Sequence, residues 1–198
     1  MKTNGIGRRI GAAVLAAAVV SLAHAQGQPG VPASADQSVR TIRALFAQGR
    51  WADAVNALER EAVRQPDQED LLFLRAMVAM ELGDYGGAAR LYQKLLDRYP
   101  DNPGLKNNMA WLRIKSSDPA IRDLDRALRE AQEAIMAAPQ DYNIWNTLGE
   151  IHLARGDVMQ AMRVAVLSRD LATLAGERDL RLFQDLVRRC ETAPEKTQ

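Results

Sequence analysis

A set of residue types returns along this chain after a fixed interval of 34 residues. Five positions between 49 and 66 are matched in this way by residues of the same kind or of similar bulk: Gly49 by Gly83, Trp51 by Tyr85, Ala54 by Ala88, Leu58 by Tyr92, and Pro66 by Pro100. A period of this length indicates a supersecondary unit that cannot bury its apolar face alone and stacks on its neighbours. The periodicity therefore restricts the fold to a row of similar units.

Each unit is expected to contain two antiparallel helices joined by a tight turn, as residues 142–161, YNIWNTLGEIHLARGDVMQA, illustrate best. Four residues of this segment have the i, i+3, i+4 and i+7 spacing of one helical face: Trp145, Leu148, Gly149 and His152. Gly156 suits the end of that helix, and Asp157 suits the N-cap of the next one. Ala161 would let the second helix approach the first closely. No stretch alternates apolar and polar residues as a half-buried strand would, so we expect no sheet.

The third unit departs from this pattern in the turn between its helices. Pro139 lies 39 residues beyond Pro100, so this unit carries about five extra residues. The segment KSSDPAIRDLD, residues 115–125, replaces the usual turn. We expect the second helix to begin at Asp118 and Pro119, because an acidic N-cap followed by proline favours a helix N-terminus.

These repeats resemble those of the tetratricopeptide repeat family over roughly residues 35–175. The fourth unit carries the resemblance through Trp145, Leu148, Gly149, Gly156, Asp157 and Ala161, and the second through Ala76, Gly83, Asp84, Tyr85, Ala88, Tyr92 and Pro100. The first unit keeps only its later half, and the third keeps Met109, Ala110 and the alanines of its second helix. Arg75 departs from the pattern, because the family usually has an apolar residue there.

The resemblance implies an all-α fold in which helix-turn-helix repeats stack as a right-handed α-solenoid. We expect a domain over residues 37–191 with repeats at about 35–68, 69–102, 103–141 and 142–175. A C-terminal capping helix is expected at 177–191, because four apolar residues there share one helical face and can cover the exposed end of the stack: Leu180, Phe183, Leu186 and Val187.

The two ends of the chain differ in composition from the repeats. Residues 1–25 contain three basic residues, then an uncharged apolar run, and finish in Ala-His-Ala, which is typical of a cleaved secretory signal peptide. An uncleaved N-terminal anchor is the alternative. Cleavage of this bacterial-type signal would give a periplasmic protein without an integral membrane span. Residues 26–36 are expected to form a flexible lead-in, and residues 192–198 a disordered tail.

The charge of the chain argues against a nucleic-acid partner. The full chain has 26 Lys and Arg residues and 25 Asp and Glu residues, and residues 1–25 hold three of the former and none of the latter. The expected mature chain therefore has 23 basic and 25 acidic residues, a net charge of −2. It lacks the basic excess that binding to a phosphate backbone requires.

Candidate catalytic and metal-binding residues are few and isolated. His152 is the only histidine of the expected mature chain, and it occupies a helix-packing position with no second histidine or cysteine near it in sequence. Asp118, Asp123 and Asp125 lack the alternation and closing glutamate of a calcium loop. Cys190 has no partner for an internal disulfide, so it either packs inside the fold or cross-links two chains. We therefore expect a protein that is not an enzyme and needs no cofactor and no metal.

The resemblance also implies that the first helix of each pair lines a concave, partner-binding face. The expected partner-binding residues are Phe73, Met77 and Met80 in the second unit, Asn107, Asn108, Trp111 and Lys115 in the third, and Asn143, Asn146 and Glu150 in the fourth. Asparagine amides both donate and accept hydrogen bonds and can hold a peptide backbone. Methionine and aromatic side chains supply an adaptable apolar surface. For Phe73 and Trp111, packing against neighbouring repeats or the lead-in segment is the alternative.

The predicted function is that of a non-catalytic periplasmic adaptor or scaffold that binds a protein or peptide partner. The alternative is a structural or self-associating subunit of an envelope assembly, for secretion, pilus formation or polysaccharide export, whose groove is occupied by its own kind. A tight homo-oligomer without a free groove would favour that alternative.

Overall fold

Helices account for all the regular secondary structure in the computed structural model, which describes residues 36–194. The expected all-α fold is confirmed for this part of the chain. The predicted signal peptide, all of the lead-in except Asp36, and residues 195–198 of the tail lie outside the described residues. The described residues divide into two compact units, 36–98 and 99–194. No helix among residues 36–194 is long and apolar enough to cross a membrane.

The first unit contains two helix pairs. Its helices are α1 (Gln37–Ala47), α2 (Trp51–Arg64), α3 (Glu69–Glu81) and α4 (Tyr85–Leu96). Asp36 and Asp84 cap α1 and α4, because each carboxylate accepts a hydrogen bond from a backbone amide of the first turn. An edge-to-face aromatic contact holds each pair, at 5.1 Å and 6.0 Å between ring centroids respectively: Phe46 with Trp51, and Phe73 with Tyr92.

The second unit contains two further pairs and a final helix. Its helices are α5 (Pro103–Lys115), α6 (Leu124–Ala137), α7 (Tyr142–Arg155), α8 (Val158–Leu174) and α9 (Arg181–Thr192). Alanines and branched aliphatic residues of three helices form one buried cluster: Ala110, Ile114, Ala127, Ala131, Leu148 and Ile151. The alanines keep α6 close to α5 and α7, so this core depends on small side chains as well as large ones.

Glycines with positive φ end the first helix of three pairs, at 71°, 77° and 81°: Gly49, Gly83 and Gly156. In this left-handed conformation a Cβ atom is strained, so glycine is the suitable residue. The expected end of α7 at Gly156 is confirmed. Asp157 holds the N-cap position of α8 but makes no side-chain capping bond, and its Oδ2 lies 3.4 Å from Nε of Arg155.

The third turn differs from the sequence expectation, because α6 begins at Leu124 and not at Pro119. Asp118 accepts a hydrogen bond from the Ala120 amide at 2.9 Å and closes a short turn that does not continue as a helix. Asp123 is the N-cap instead, accepting from the Arg126 amide at 2.9 Å. Both aspartates suit a cap, and the rest of the connection decides between them.

Two arginines hold this long connection against α5. Arg113 donates to the carbonyl oxygen of Ile121 at 3.3 Å, and Arg122 donates to that of Ile114 at 2.6 Å. These bonds satisfy backbone carbonyls at the end of α5 and inside the loop. The loop is thus held by side chains, where the other pairs use a glycine turn.

The final helix begins at Arg181, four residues after the expected start of the capping helix at 177. Gly176 has a φ of 77°, and the Glu177 amide bonds back to the carbonyl of Ala172 at 2.9 Å, which ends α8 in a tight turn. Phe183, Leu186 and Cys190 of α9 are buried. The packing interpretation of Cys190 agrees with this burial.

Candidate partner-binding surface

The predicted partner-binding residues lie on the first helices of three pairs, α3 in the first unit and α5 and α7 in the second. Phe73 and Met77 of α3 are buried inside the first unit, and Met80 is half-buried. The ring of Phe73 packs against Tyr92, whose hydroxyl has no hydrogen-bond partner within residues 36–194. Burial raises the pKa of the Tyr92 hydroxyl, so this hydroxyl stays protonated. This ring contact lies within one helix pair, whereas the alternative interpretation placed Phe73 against neighbouring repeats.

Asn107 of α5 and Asn146 of α7 occupy equivalent positions, 39 residues apart, in successive helix pairs. They are only 6% and 3% exposed. The Oδ1 atom of each is buried and has no hydrogen-bond partner among the described residues. Since buried polar atoms are almost always hydrogen-bonded, two unmatched oxygens at equivalent positions need an explanation.

Two further asparagines, Asn108 and Asn143, are half-buried on the same helices. The backbone carbonyl of Asn143 accepts a hydrogen bond from the buried hydroxyl of Thr147 at 3.1 Å. Both side chains remain partly accessible to solvent. Asn107, Asn108, Asn143 and Asn146 are called the asparagine set below.

Trp111 is partly packed and partly accessible to solvent. Its side chain is half-buried and packs against the aliphatic cluster of α5, α6 and α7. Its ring also lies 4.3 Å from Nζ of the exposed Lys115, a cation–π contact. One part of the indole therefore contributes to the core, and another part remains accessible.

Glu150 is already bound by the chain's own last helix. Its buried carboxylate accepts two hydrogen bonds from Arg189 of α9, at 2.6 Å and 2.9 Å. The hydrogen bond to Glu150 raises the pKa of the Arg189 guanidinium. Residue type and spacing placed Glu150 on the binding face but did not identify Arg189. The sequence signal that was available is the arginine pair at the end of the helix expected to cover the exposed end of the stack.

Two other first helices contain ion pairs with a buried member, and the sequence did not predict these pairs. Asp70 of α3 is bound by Arg43 of α1 at 2.6 Å. Arg113 of α5 is bound to Glu130 of α6 at 2.9 Å. Arg113 occupies the position equivalent to His152, and the sequence analysis expected His152 to be a packed side chain.

The isolated histidine shows no arrangement for metal binding. His152 is half-buried, and its Nδ1 lies 3.7 Å from Oδ2 of Asp157, beyond hydrogen-bond distance. No group of three or more His, Cys, Asp or Glu residues within 36–194 is placed to hold a metal ion.

Comparison with known proteins gives results in keeping with this geometry. The sequence profile of the tetratricopeptide repeat family matches residues 39–103 and 120–165. Tetratricopeptide repeat protein 37 of Xenopus laevis is 29% identical over 98 residues, which are 48% of this chain and 6% of that protein. An uncharacterized protein of Sinorhizobium fredii is 31% identical over 78 residues, 39% of this chain and 43% of that one. The chain thus spans less than half the length of either curated relative.

A solved structure is also similar to this chain. The crystal structure of a thermophilic tetratricopeptide repeat protein of Thermus thermophilus matches with a TM-score of 0.57 and 18% identity, over 80% of this chain and 91% of that one. At this identity the likeness establishes the fold, which is an α-solenoid built of such repeats, and carries nothing about a ligand.

Proposed function

Because the chain belongs to the tetratricopeptide repeat family, a fold suited to protein–protein interaction, we propose that it is a non-catalytic adaptor that binds an extended protein or peptide segment. The proposed binding surface in the second unit is formed by the asparagine set together with Trp111. This surface lies on α5 and α7, the first helices of their pairs.

The observation that carries this proposal is the pair of unmatched oxygens on Asn107 and Asn146. A buried polar atom without a partner costs roughly 1–3 kcal/mol of stability. A backbone amide of a bound segment would supply the missing donor at both positions. The terminal amide torsion of asparagine is broad, so a small rotation can turn each oxygen towards the surface.

The half-buried members of the set add specificity for a peptide backbone. Asn108 and Asn143 each offer a donor and an acceptor from the same side chain, which matches the alternating groups of an extended segment. Trp111 supplies an apolar contact beside them, and binding energy concentrates in such aromatic anchors. Lys115 shields the indole ring and makes the surface receptive to an acidic residue of the partner.

The site of action is proposed to be the bacterial periplasm. The support is the composition of residues 1–25, with basic residues, an apolar run and a small-residue cleavage motif. Secretion of a fusion of residues 1–35 to alkaline phosphatase, with the mature N-terminus then sequenced, tests the location. Active phosphatase with an N-terminus at Gln26 supports the proposal, and a purely cytoplasmic, uncleaved fusion contradicts it.

Site-specific photocrosslinking tests the binding surface. A photoreactive amino acid replaces Asn108 in one variant and Arg129, an exposed residue of α6, in the matched control. Irradiation in cells should give a discrete crosslinked product at position 108 and none at position 129. Equal products at both positions, or none at position 108, would count against the surface. A product that contains only a second copy of the chain would support the self-associating alternative.

A further inference from the structure

The outward face of α8 carries three of the eight large apolar side chains that are exposed in the described residues. They are Met159, Leu167 and Leu174, which are 62%, 39% and 85% exposed. An α-helix rotates by about 100° per residue, which places the buried residues of α8 on the opposite side: Ala161, Ala165, Ser168 and Ala172. Scattered apolar side chains need no explanation, but a row of them on one helix does.

The covered side of α8 is already occupied within the chain. Leu186 and Cys190 of α9 pack against Ala161 and Ala165. The final helix therefore cannot also account for the outward row. The function proposed above does not use this row either, because it involves α5 and α7.

The residues of the outward face are symmetric about the midpoint between Val166 and Leu167. At equal distances from that midpoint, Arg163 is matched by Asp170 and Met159 is matched by Leu174. The row thus has an apolar centre, a positive charge on one side of it, a negative charge on the other side, and apolar ends. These six residues, Met159, Arg163, Val166, Leu167, Asp170 and Leu174, are called the α8 stripe below.

We propose that the α8 stripe binds the α8 stripe of a second copy of the chain, with the two helices antiparallel. A two-fold axis through the midpoint would bring Arg163 of each copy to Asp170 of the other. The same axis would place Met159 against Leu174 and the two apolar centres against each other. The contact would extend about 22 Å, the fifteen helical steps from Met159 to Leu174.

The two charged positions of the stripe are exposed and accessible for this contact. Arg163 is exposed and makes no ion pair with another residue of 36–194. Asp170 is paired at 2.7 Å with its neighbour Arg169, and the two side chains are 54% and 36% exposed. Exposed pairs contribute little free energy, so exchanging this one for a contact between copies costs little. Two copies related by a two-fold axis require opposite charges at the matched positions 163 and 170. An unrelated partner would not require this symmetry.

Charge reversal tests the pairing. Sedimentation equilibrium of the chain over a range of concentrations should show a reversible monomer–dimer equilibrium. R163D and D170R should each weaken the dimer about tenfold or more, because each variant places like charges together twice across the axis. The combined variant R163D/D170R should return the dissociation constant to within a few-fold of the original value, since opposite charges meet again.

R129D is the matched control for net charge, because Arg129 is exposed on α6, outside the stripe. It should leave the dimer unchanged. A chain that stays monomeric at every concentration overturns the proposal. So does a combined variant as weak as the single ones, or an R129D effect equal to that of R163D.

Disulfide trapping tests the antiparallel register independently. M159C chains mixed with L174C chains should form a mixed disulfide dimer under mild oxidation, since the two positions meet across the axis. Each variant alone, and the unaltered chain with its buried Cys190, should remain uncrosslinked. Efficient crosslinking of M159C chains to one another would mean a parallel arrangement and would overturn the proposal.

Discussion

The first and second helices of the second unit bury different kinds of side chain. Helices α5 and α7 bury polar or charged residues beside their apolar ones: Asn107, Arg113, Asn146, Thr147 and Glu150. Helices α6 and α8 bury almost nothing except alanine, with Ser168 as the single polar residue. Burying polar groups opposes folding unless they are paired. The second helices are therefore built for close packing, and the first helices retain polar groups that folding alone does not require.

The polar groups of the first helices divide further into paired and unpaired ones. Arg113 and Glu150 each have a charged partner inside the chain, so they are explained by structure. Asn107 and Asn146 each keep an unmatched oxygen, so contacts within the fold do not explain their burial. In the proposed function, this difference separates the residues that hold the fold from those that bind the partner.

The largest expected effect concerns the small residues of the second helices. Ala131→Leu should destabilise the chain by about 1–3 kcal/mol, because the added atoms must enter a filled cluster between α5, α6 and α7. Ala137→Leu, at an exposed position on the same helix, should change stability by no more than about 0.5 kcal/mol. Urea denaturation measures both. Similar values for the two variants would contradict the packing role given to α6.

Trp111→Ala tests both roles of the indole on a first helix. We expect a lower Tm from the lost packing and a loss of about 2 kcal/mol of binding energy from the lost anchor. Lys115→Ala removes only the cation–π contact and should change either quantity by about 0.5–1 kcal/mol. If Trp111→Ala lowers Tm while affinity for the crosslinked partner is unchanged, Trp111 belongs to the core alone.

Removing the partner of a buried carboxylate should have an intermediate effect. Arg189→Ala leaves Glu150 buried and unpaired and should cost about 1–2 kcal/mol, less than a fully buried pair because Arg189 is 42% exposed and water can replace it. Arg188→Ala removes only an exposed pair with Asp185 and should cost less than about 0.5 kcal/mol. Thermal unfolding of both variants measures the difference, and equal losses would contradict it.

The smallest expected effect is a pH-dependent one at the end of a first helix. Burial raises the pKa of Glu81 above its ordinary value of 4.5. Folding therefore favours the protonated form, and stability falls as pH rises from 4.5 through the folded pKa. Glu81→Gln should raise Tm slightly at pH 7 and have no effect below about pH 4, where both states are protonated. A lower Tm at pH 7 would show a favourable role for the carboxylate instead.

The repeat period predicted the pairs of helices and their glycine turns well, because Gly83 and Gly156 act through local backbone geometry. The third turn was predicted wrongly, because Asp118 and Asp123 offer the same local capping chemistry. The choice between them depends on the hydrogen bond from Arg122 to the end of α5, and local sequence rules do not predict this bond.

The candidate site was less predictable than the fold for a related reason. Spacing places Asn146 and Glu150 on one helical face, but burial on that face depends on the elements packed next to it. The bond from Arg189 to Glu150 joins residues 39 positions apart, and α9 is not a copy of the repeat. Pairing of this kind can be recognised only when the helices are in place.

The most direct test of the account is the effect of Asn107→Ala with Asn146→Ala on stability and affinity in parallel. The double variant removes two unmatched buried oxygens, which is favourable, and also removes some packing, which is unfavourable. Because the two effects offset each other, the free energy of unfolding should change by no more than about 1 kcal/mol. Affinity for the partner crosslinked at position 108 should fall at least about tenfold, the equivalent of 1.4 kcal/mol. A chain that is clearly destabilised while its affinity is unchanged would show that these asparagines serve the fold, and would contradict the proposed binding surface.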